Sequence, residues 1–266
     1  MSARSATYLA WSLWALILAI QVAGLVFYGW AGTASDADSV SAGIVALIVF
    51  QLFATVGAVI AARRPENPIG WLFLAVPLLT SLANASGGYA ELATERRLGG
   101  AVIVALAFGW TWLVALGITA VIILLFPDGR LPSARWRPIA LFAAVWLIGV
   151  AVSETFKAGP LEDPLEHVDN PVGVPGFGFV VDVLGLTGLF VLLIAAVTSL
   201  VLRFLRNREQ RQQIKWFLAS VGLAVLVIVP LDVADAVSTS FDGPPDAVFL
   251  LALGTIPLAT GVAIPK

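Results

Sequence analysis

The sequence predicts an all-α fold: a polytopic transmembrane helical bundle of about eight spans, with both termini on the cytoplasmic face. Three observations carry that prediction. Of 266 residues, 59% are hydrophobic and only 12% are charged, where a soluble domain carries roughly 25% charge. Apolar runs long enough to cross a bilayer recur along the chain, separated by short stretches of Pro, Gly and charged residues. Basic residues collect in alternate connections, as they do when one set of loops stays in the cytoplasm. With a mean hydropathy of +0.96, lipid has to replace water as the main solvent.

The first span is expected at residues 8–30, with aromatic residues at both ends. A signal peptide is the competing reading, because residues 31–34 are small, but the apolar run exceeds the ~7–15 residues of a signal core. Asp36 and Asp38 mark an acidic turn before a second span at 40–62. The stretch 63–73, Arg-Arg-Pro-Glu-Asn-Pro-Ile-Gly-Trp-Leu-Phe, then has to leave the bilayer and return at once. Arg63 and Arg64 suit a helix C-terminus and resist translocation. Pro65 forbids continuation, Asn67 can cap the next helix, and Pro68 suits a first helical position, where no donor is needed. Trp71 falls one turn further in, at the depth where indole rings prefer the headgroup boundary.

The third span is expected at 69–89 with a kink at Pro77, followed by a mixed-charge turn at 91–99 and a long fourth span at 100–126. Pro127, Asp128 and Gly129 form a turn by their own chemistry, and Arg130, Arg135 and Arg137 hold it in the cytoplasm. A fifth span at 139–156 leads to the longest polar segment, 157–178. The sixth, seventh and eighth spans are expected at 179–205, 216–237 and 247–264, the last two interrupted by Pro230 and Pro257. The whole of 1–266 reads as one integral membrane domain.

Charge placement orients this scheme. The cytoplasmic side would hold Arg4, Arg63, Arg64, Arg130, Arg135, Arg137, Arg203, Arg206, Arg208, Arg211, Lys215 and Lys266, leaving Arg96, Arg97 and Lys157 outside. The expected location is the plasma (cytoplasmic) membrane. The absence of Cys excludes disulfides, thiolate metal sites and Cys nucleophiles, and one His, His167, leaves no pair for a His-based metal site. Basic residues are few and confined to short loops, which does not suit nucleic acid. No zinc helix, Ser elbow or phosphate-cradling Gly loop is present, so no catalytic residue, cofactor or metal is expected.

Several connections together resemble the N-terminal membrane region of actinobacterial-type sensor histidine kinases. They are 63–73, 125–138 (Leu-Phe-Pro-Asp-Gly-Arg-Leu-Pro-Ser-Ala-Arg-Trp-Arg-Pro), Asn170-Pro171 and 209–217 (Glu-Gln-Arg-Gln-Gln-Ile-Lys-Trp-Phe). Residues 256–264 look like the last helix of that region. In that family a basic linker and a kinase module follow, whereas here the sequence stops at Lys266 and its sole His lies in an expected outer loop. The resemblance therefore implies a non-catalytic sensor or signal-input module without its output. The partners it implies are the lipid bilayer, a kinase or regulator on another chain, and a second copy of the chain.

Candidate sites follow from polar residues in apolar surroundings. Asp232 and Asp235, in the seventh span, are a candidate sensing or ion site, against the reading that the helix ends early and both carboxylates are wet. Gln21 and Gln51 lie mid-span on the first two helices and suit either interhelical hydrogen bonds, at ~0.6 kcal/mol each, or a ligand contact. Glu154, Asp182 and the loop acids Glu162, Asp163, Glu166 and Asp169 with His167 offer oxygen ligands, although their spacing matches no dedicated cation loop. Arg206, Arg208, Arg211 and Lys215 form a basic loop that suits a partner, anionic headgroups or topology control alone. The tryptophans are read mostly as interface anchors, with Trp110, Trp112 and Trp146 the least typical. A small transporter or channel built on the kinks at Pro77, Pro230 and Pro257 is the alternative function.

Overall fold

Backbone in lipid has to satisfy its polar groups within the segment, so each apolar run becomes a helix and the residues that interrupt it set its ends. The computed structural model describes residues 2–33, 37–179, 185–206, 211, 214–215, 217–219 and 254. Among these the chain is helical: α1 (Ala3–Ala31), α2 (Ala37–Arg63), α3 (Pro68–Arg96), α4 (Ala101–Phe108), α5 (Thr111–Leu125), α6 (Arg137–Phe156), a short turn α7 (Phe177–Phe179) and α8 (Leu186–Arg206). Among the described residues six helical stretches are long and apolar enough to cross a membrane, with α4 and α5 counted as one. The expected seventh and eighth spans, with Pro230 and Pro257, lie outside the described residues apart from 217–219 and 254.

Local chemistry accounts for the helix ends. Ser2 caps α1 by accepting from Ser5 N, and Gly32, at φ +80°, closes it with its N–H on Tyr28 O. Asn67 caps α3, accepting from Ile69 N at 3.0 Å, with Pro68 at the first helical position. At its far end α3 outruns the sequence expectation. The mixed-charge stretch expected as a turn at 91–99 is helical through Arg96, so Glu91 and Glu95 sit on the last turns of α3. Leu92 and Ala93 are buried there, and that packing carries the helix past Tyr89.

The long fourth span expected at 100–126 is matched by a single candidate span, Ala101–Leu125, but its helix is not continuous. It is interrupted at Gly109–Trp110 into α4 and α5. Thr111 Oγ1 donates to Phe108 O at 2.6 Å and to Leu79 O of α3 at 2.8 Å, which pins the break against the neighbouring helix just past Pro77.

Helix α3 is central, packing against α1, α2, α4 and α5. Glycines set the closest approaches. A Cβ on Gly57 would lie 2.9 Å from Leu74 N, and one on Gly70 would lie 3.0 Å from Ala61 Cα, so α2 and α3 meet nearly backbone to backbone. On the other side, Gly24 of α1 touches Ala85 and Gly88 of α3 faces Gly24 O.

The core between these helices includes Phe53, Ile69, Phe73, Phe126, Leu200, Ile214 and Phe217. Outward faces are apolar. On α6, Leu141, Val145, Ile148 and Val152 are exposed at helical spacing, while Ala143, Trp146 and Val150 on the opposite stripe are buried. Exposed apolar stripes of this kind are lipid-facing, and the chain is a membrane-embedded helical protein.

Two tryptophans turn inward: Trp14, read as an interface anchor, is half-buried, and Trp146, among the least typical anchors in the sequence, is buried. Trp14 donates to Thr55 Oγ1 of α2 at 2.9 Å. Trp146 is 6% exposed, and its two ring edges lie against Gly117 of α5 and Gly188 of α8.

Candidate functional site

Two places in the fold concentrate polar groups where the sequence would otherwise be apolar: a junction of connections at the basic end, and a cavity among α1, α2 and α3.

The junction begins with the α2–α3 turn. Asn67 N donates to Arg64 O at 2.9 Å, and Trp71 reaches back to donate its indole N–H to Pro65 O at 3.0 Å. Arg63 is exposed at the end of α2, as a topology charge should be. The turn after α5 lies directly against it. Gly129 has φ +74°, and a Cβ there would strike Asn67 Oδ1 and stand 2.7 Å from Pro68 Cδ. Both the conformation and the contact require glycine at that position.

Arg203, near the end of α8, ties the turn down. Its Nη1 meets Asp128 Oδ1 at 2.7 Å and its Nη2 donates to Arg130 O. Arg203 is 8% exposed against 38% for Asp128, so a nearly buried cation holds a partly wet carboxylate. Its Nε has no hydrogen-bond partner among the described residues. One turn earlier, Ser199 Oγ donates to Leu124 O at 3.0 Å. Phe217 then stacks on Phe126 with ring centroids 4.5 Å apart.

The basic candidates divide at this end. Arg211 folds back on the end of α8, donating to Phe204 O at 3.0 Å and to Leu205 O at 3.2 Å, with its guanidinium over the Phe204 ring. Carbonyls left open at a helix C-terminus attract such a cation. Lys215 is exposed. Arg206 closes α8, and Arg208 lies outside the described residues. The sequence singled out Arg63, Arg64, Pro65, Asn67, Pro68 and Trp71, and of these the structure brings Asn67 and Pro68 against Gly129, next to the Asp128 that pairs with Arg203. Arg203 had been counted only as a topology charge. Its signal was an arginine three residues inside an apolar run, matched by the lone acid of Pro-Asp-Gly.

The second place is a cavity of about 760 Å³ walled by α1, α2 and α3. Gln21 lines it, is 7% exposed, and has neither amide atom hydrogen-bonded among the described residues. A buried amide left in that state costs about 1–3 kcal/mol. Ser81 and Asn84 of α3 share the wall, one and two turns beyond the kink at Pro77. Gln51 is also without a partner for its amide among the described residues, but it lies outside the cavity wall. Of the two, the described cavity wall takes in Gln21 alone. Asp232 and Asp235 lie outside the described residues.

At the end opposite the junction, the segment after α6 is folded. Asn170 Nδ2 donates to Thr155 O at 2.9 Å and to Lys157 O at 2.8 Å, while its Oδ1 accepts from Val172 N at 3.0 Å. A cavity of about 210 Å³ beneath it is lined by Trp110, Glu154, Lys157, Glu162 and Asp163 among others. Among the described residues no three His, Asp or Glu side chains gather as a cation site; Asp182 lies outside them. No protein-family model, curated protein or solved structure matches the chain.

Proposed function

We propose that the chain is a non-catalytic signal-input module of the cytoplasmic membrane. In this reading the basic end and both termini face the cytoplasm, and a stimulus in the envelope or bilayer is relayed to a kinase or regulator docked there. The observation that carries it is the junction at the basic end. Arg203 joins the end of α8 to the Asp128 turn, Gly129 presses that turn on Asn67, and Phe217 stacks on Phe126. A displacement of α3 or α8 is thereby felt at every described connection of that end, which is the mechanical requirement for relay. Residues of the segments that resemble sensor-kinase membrane regions, Asn67 and Pro68 of 63–73, Phe126, Asp128 and Gly129 of 125–138 and Phe217 of 209–217, contribute to this one junction, which supports the same reading.

A photoreactive benzophenone side chain in place of exposed Lys215 tests it in native membranes. The expected product is a covalent adduct with a kinase or response regulator, identified by mass spectrometry. Adducts with lipid alone would remove the signalling reading. Ion flux through reconstituted proteoliposomes would then favour a transporter, for which the break at Gly109–Trp110 and the cavity at Gln21 are suitable parts.

A further inference from the structure

We infer that the cavity among α1, α2 and α3 is a binding site for a single-chain amphiphile with an uncharged, hydroxylated head. This deepens the signalling reading by naming the class of molecule sensed, although binding itself is measured independently of any partner.

The wall has two characters. Leu25, Val40, Ile44, Leu47 and Phe50 give it an apolar side, contributed mainly by α2. Gln21, Ser81 and Asn84 give it a polar side, contributed by α1 and α3. Gln21 is 93% buried with both amide atoms unmatched among the described residues. Asn84 is exposed although it sits midway along a spanning helix, and it lines this cavity. Ser81 Oγ and Thr80 Oγ1 already donate to carbonyls at the Pro77 kink, so they offer only acceptors. The site therefore presents amide donors together with several acceptors, within the length of three candidate spanning helices.

That pattern selects the head. An ammonium would leave the Gln21 N–H groups unmatched, since it only donates. A phosphate or carboxylate would meet Glu91 on the same wall, with no Lys or Arg among the described lining residues to offset the repulsion. Hydroxyls donate and accept, and so match both faces of the amides. The volume, about 760 Å³, falls within the ~300–1,000 Å³ of small-molecule pockets and suits one chain with a compact head.

The test uses the full chain in phosphatidylcholine nanodiscs and a diazirine-bearing monoacylglycerol, with adducts mapped by mass spectrometry. Saturable labelling of peptides from α1 and α2, displaced by unlabelled monoacylglycerol, is expected. Gln21→Leu should lower labelling at sub-saturating probe by about tenfold without lowering the melting temperature, because the amide has no described partner to lose. Ala46→Phe, which places a ring in the cavity, should block labelling by a route independent of Gln21. A fatty-acid probe of the same chain length should label at least tenfold more weakly. Labelling that never saturates, labelling confined to the exposed stripe of α6, or equal labelling of the Gln21→Leu chain would overturn the inference. A chain that binds the probe yet yields no partner adduct at position 215 would lose only the signalling reading. One that yields the adduct but does not bind would lose only this inference.

Discussion

Arg203 shows how one side chain decides the state of an entire helix end. A guanidinium that is 8% exposed cannot shed its proton to escape burial, so it has to be matched where it stands. Asp128 supplies the charge and Arg130 O a second acceptor. Removing Asp128 alone leaves the cation without its partner charge. A fully buried pair broken in this way loses ~3–5 kcal/mol. The 38% exposure of Asp128 reduces that, and Asp128→Ala is expected to cost about 2 kcal/mol, read as a lower melting temperature in detergent. Arg203→Met should cost a similar amount. The double variant should melt closer to the native chain than the sum of the two single effects, and strict additivity would mean that the pair does not couple. At this scale the sequence was readable wherever the chemistry was local. Asn67, Pro68 and Trp71 do what their positions relative to a helix start require. The Arg203–Asp128 pair was not readable, because its members lie 75 positions apart and nothing short of packing brings them together.

Between elements, the contacts that matter are made by what is missing. Gly57 and Gly70 allow α2 and α3 to touch along their backbones, whereas Gly149 on α6 has nothing within 4 Å. Gly70→Leu is therefore expected to destabilise the chain by about 1–3 kcal/mol through overpacking, and Gly149→Leu to leave the melting temperature within a degree or two of native. Equal effects at the two positions would show that the α2–α3 contact is not tight. Trp146 belongs to the same class of contact, held edgewise between Gly117 and Gly188. The helices themselves were visible as apolar runs, since lipid leaves a spanning segment little choice but to be helical. Their ends were visible only where a capping residue marks them. The extension of α3 through Arg96 depends on burial of Leu92 and Ala93, which the local charges 91–97 conceal. The break at Gly109–Trp110 depends on Thr111 finding Leu79 O across the bundle. Of the cavity, only Gln21 was legible, as a polar residue in an apolar run. Its apolar wall is indistinguishable in sequence from any lipid-facing surface.

For the molecule as a whole, the question is which end faces the cytoplasm. The fold gathers Arg63, Arg64, Arg130, Arg203 and Arg211 at one end, where their connections are in contact, while Arg96, Arg97 and Lys157 lie on connections at the other. A net charge of -2 conceals this asymmetry completely. Translocating a connection rich in Arg is strongly disfavoured, whereas acidic residues contribute little to orientation, so the end bearing Asn67 and Asp128 should remain inside. Because the chain has no cysteine, single thiols report position without interference. Ser133 and Glu166 are exposed at opposite ends, and neither is basic, so replacing them leaves the charges that set topology intact. In intact cells a membrane-impermeant maleimide is expected to label the Glu166→Cys chain at once and the Ser133→Cys chain only after permeabilisation. The reverse pattern would place the Arg203–Asp128 junction outside the cell, where no kinase or regulator could dock, and would leave the segment 157–178 rather than the basic loops as the face available to a cytoplasmic partner.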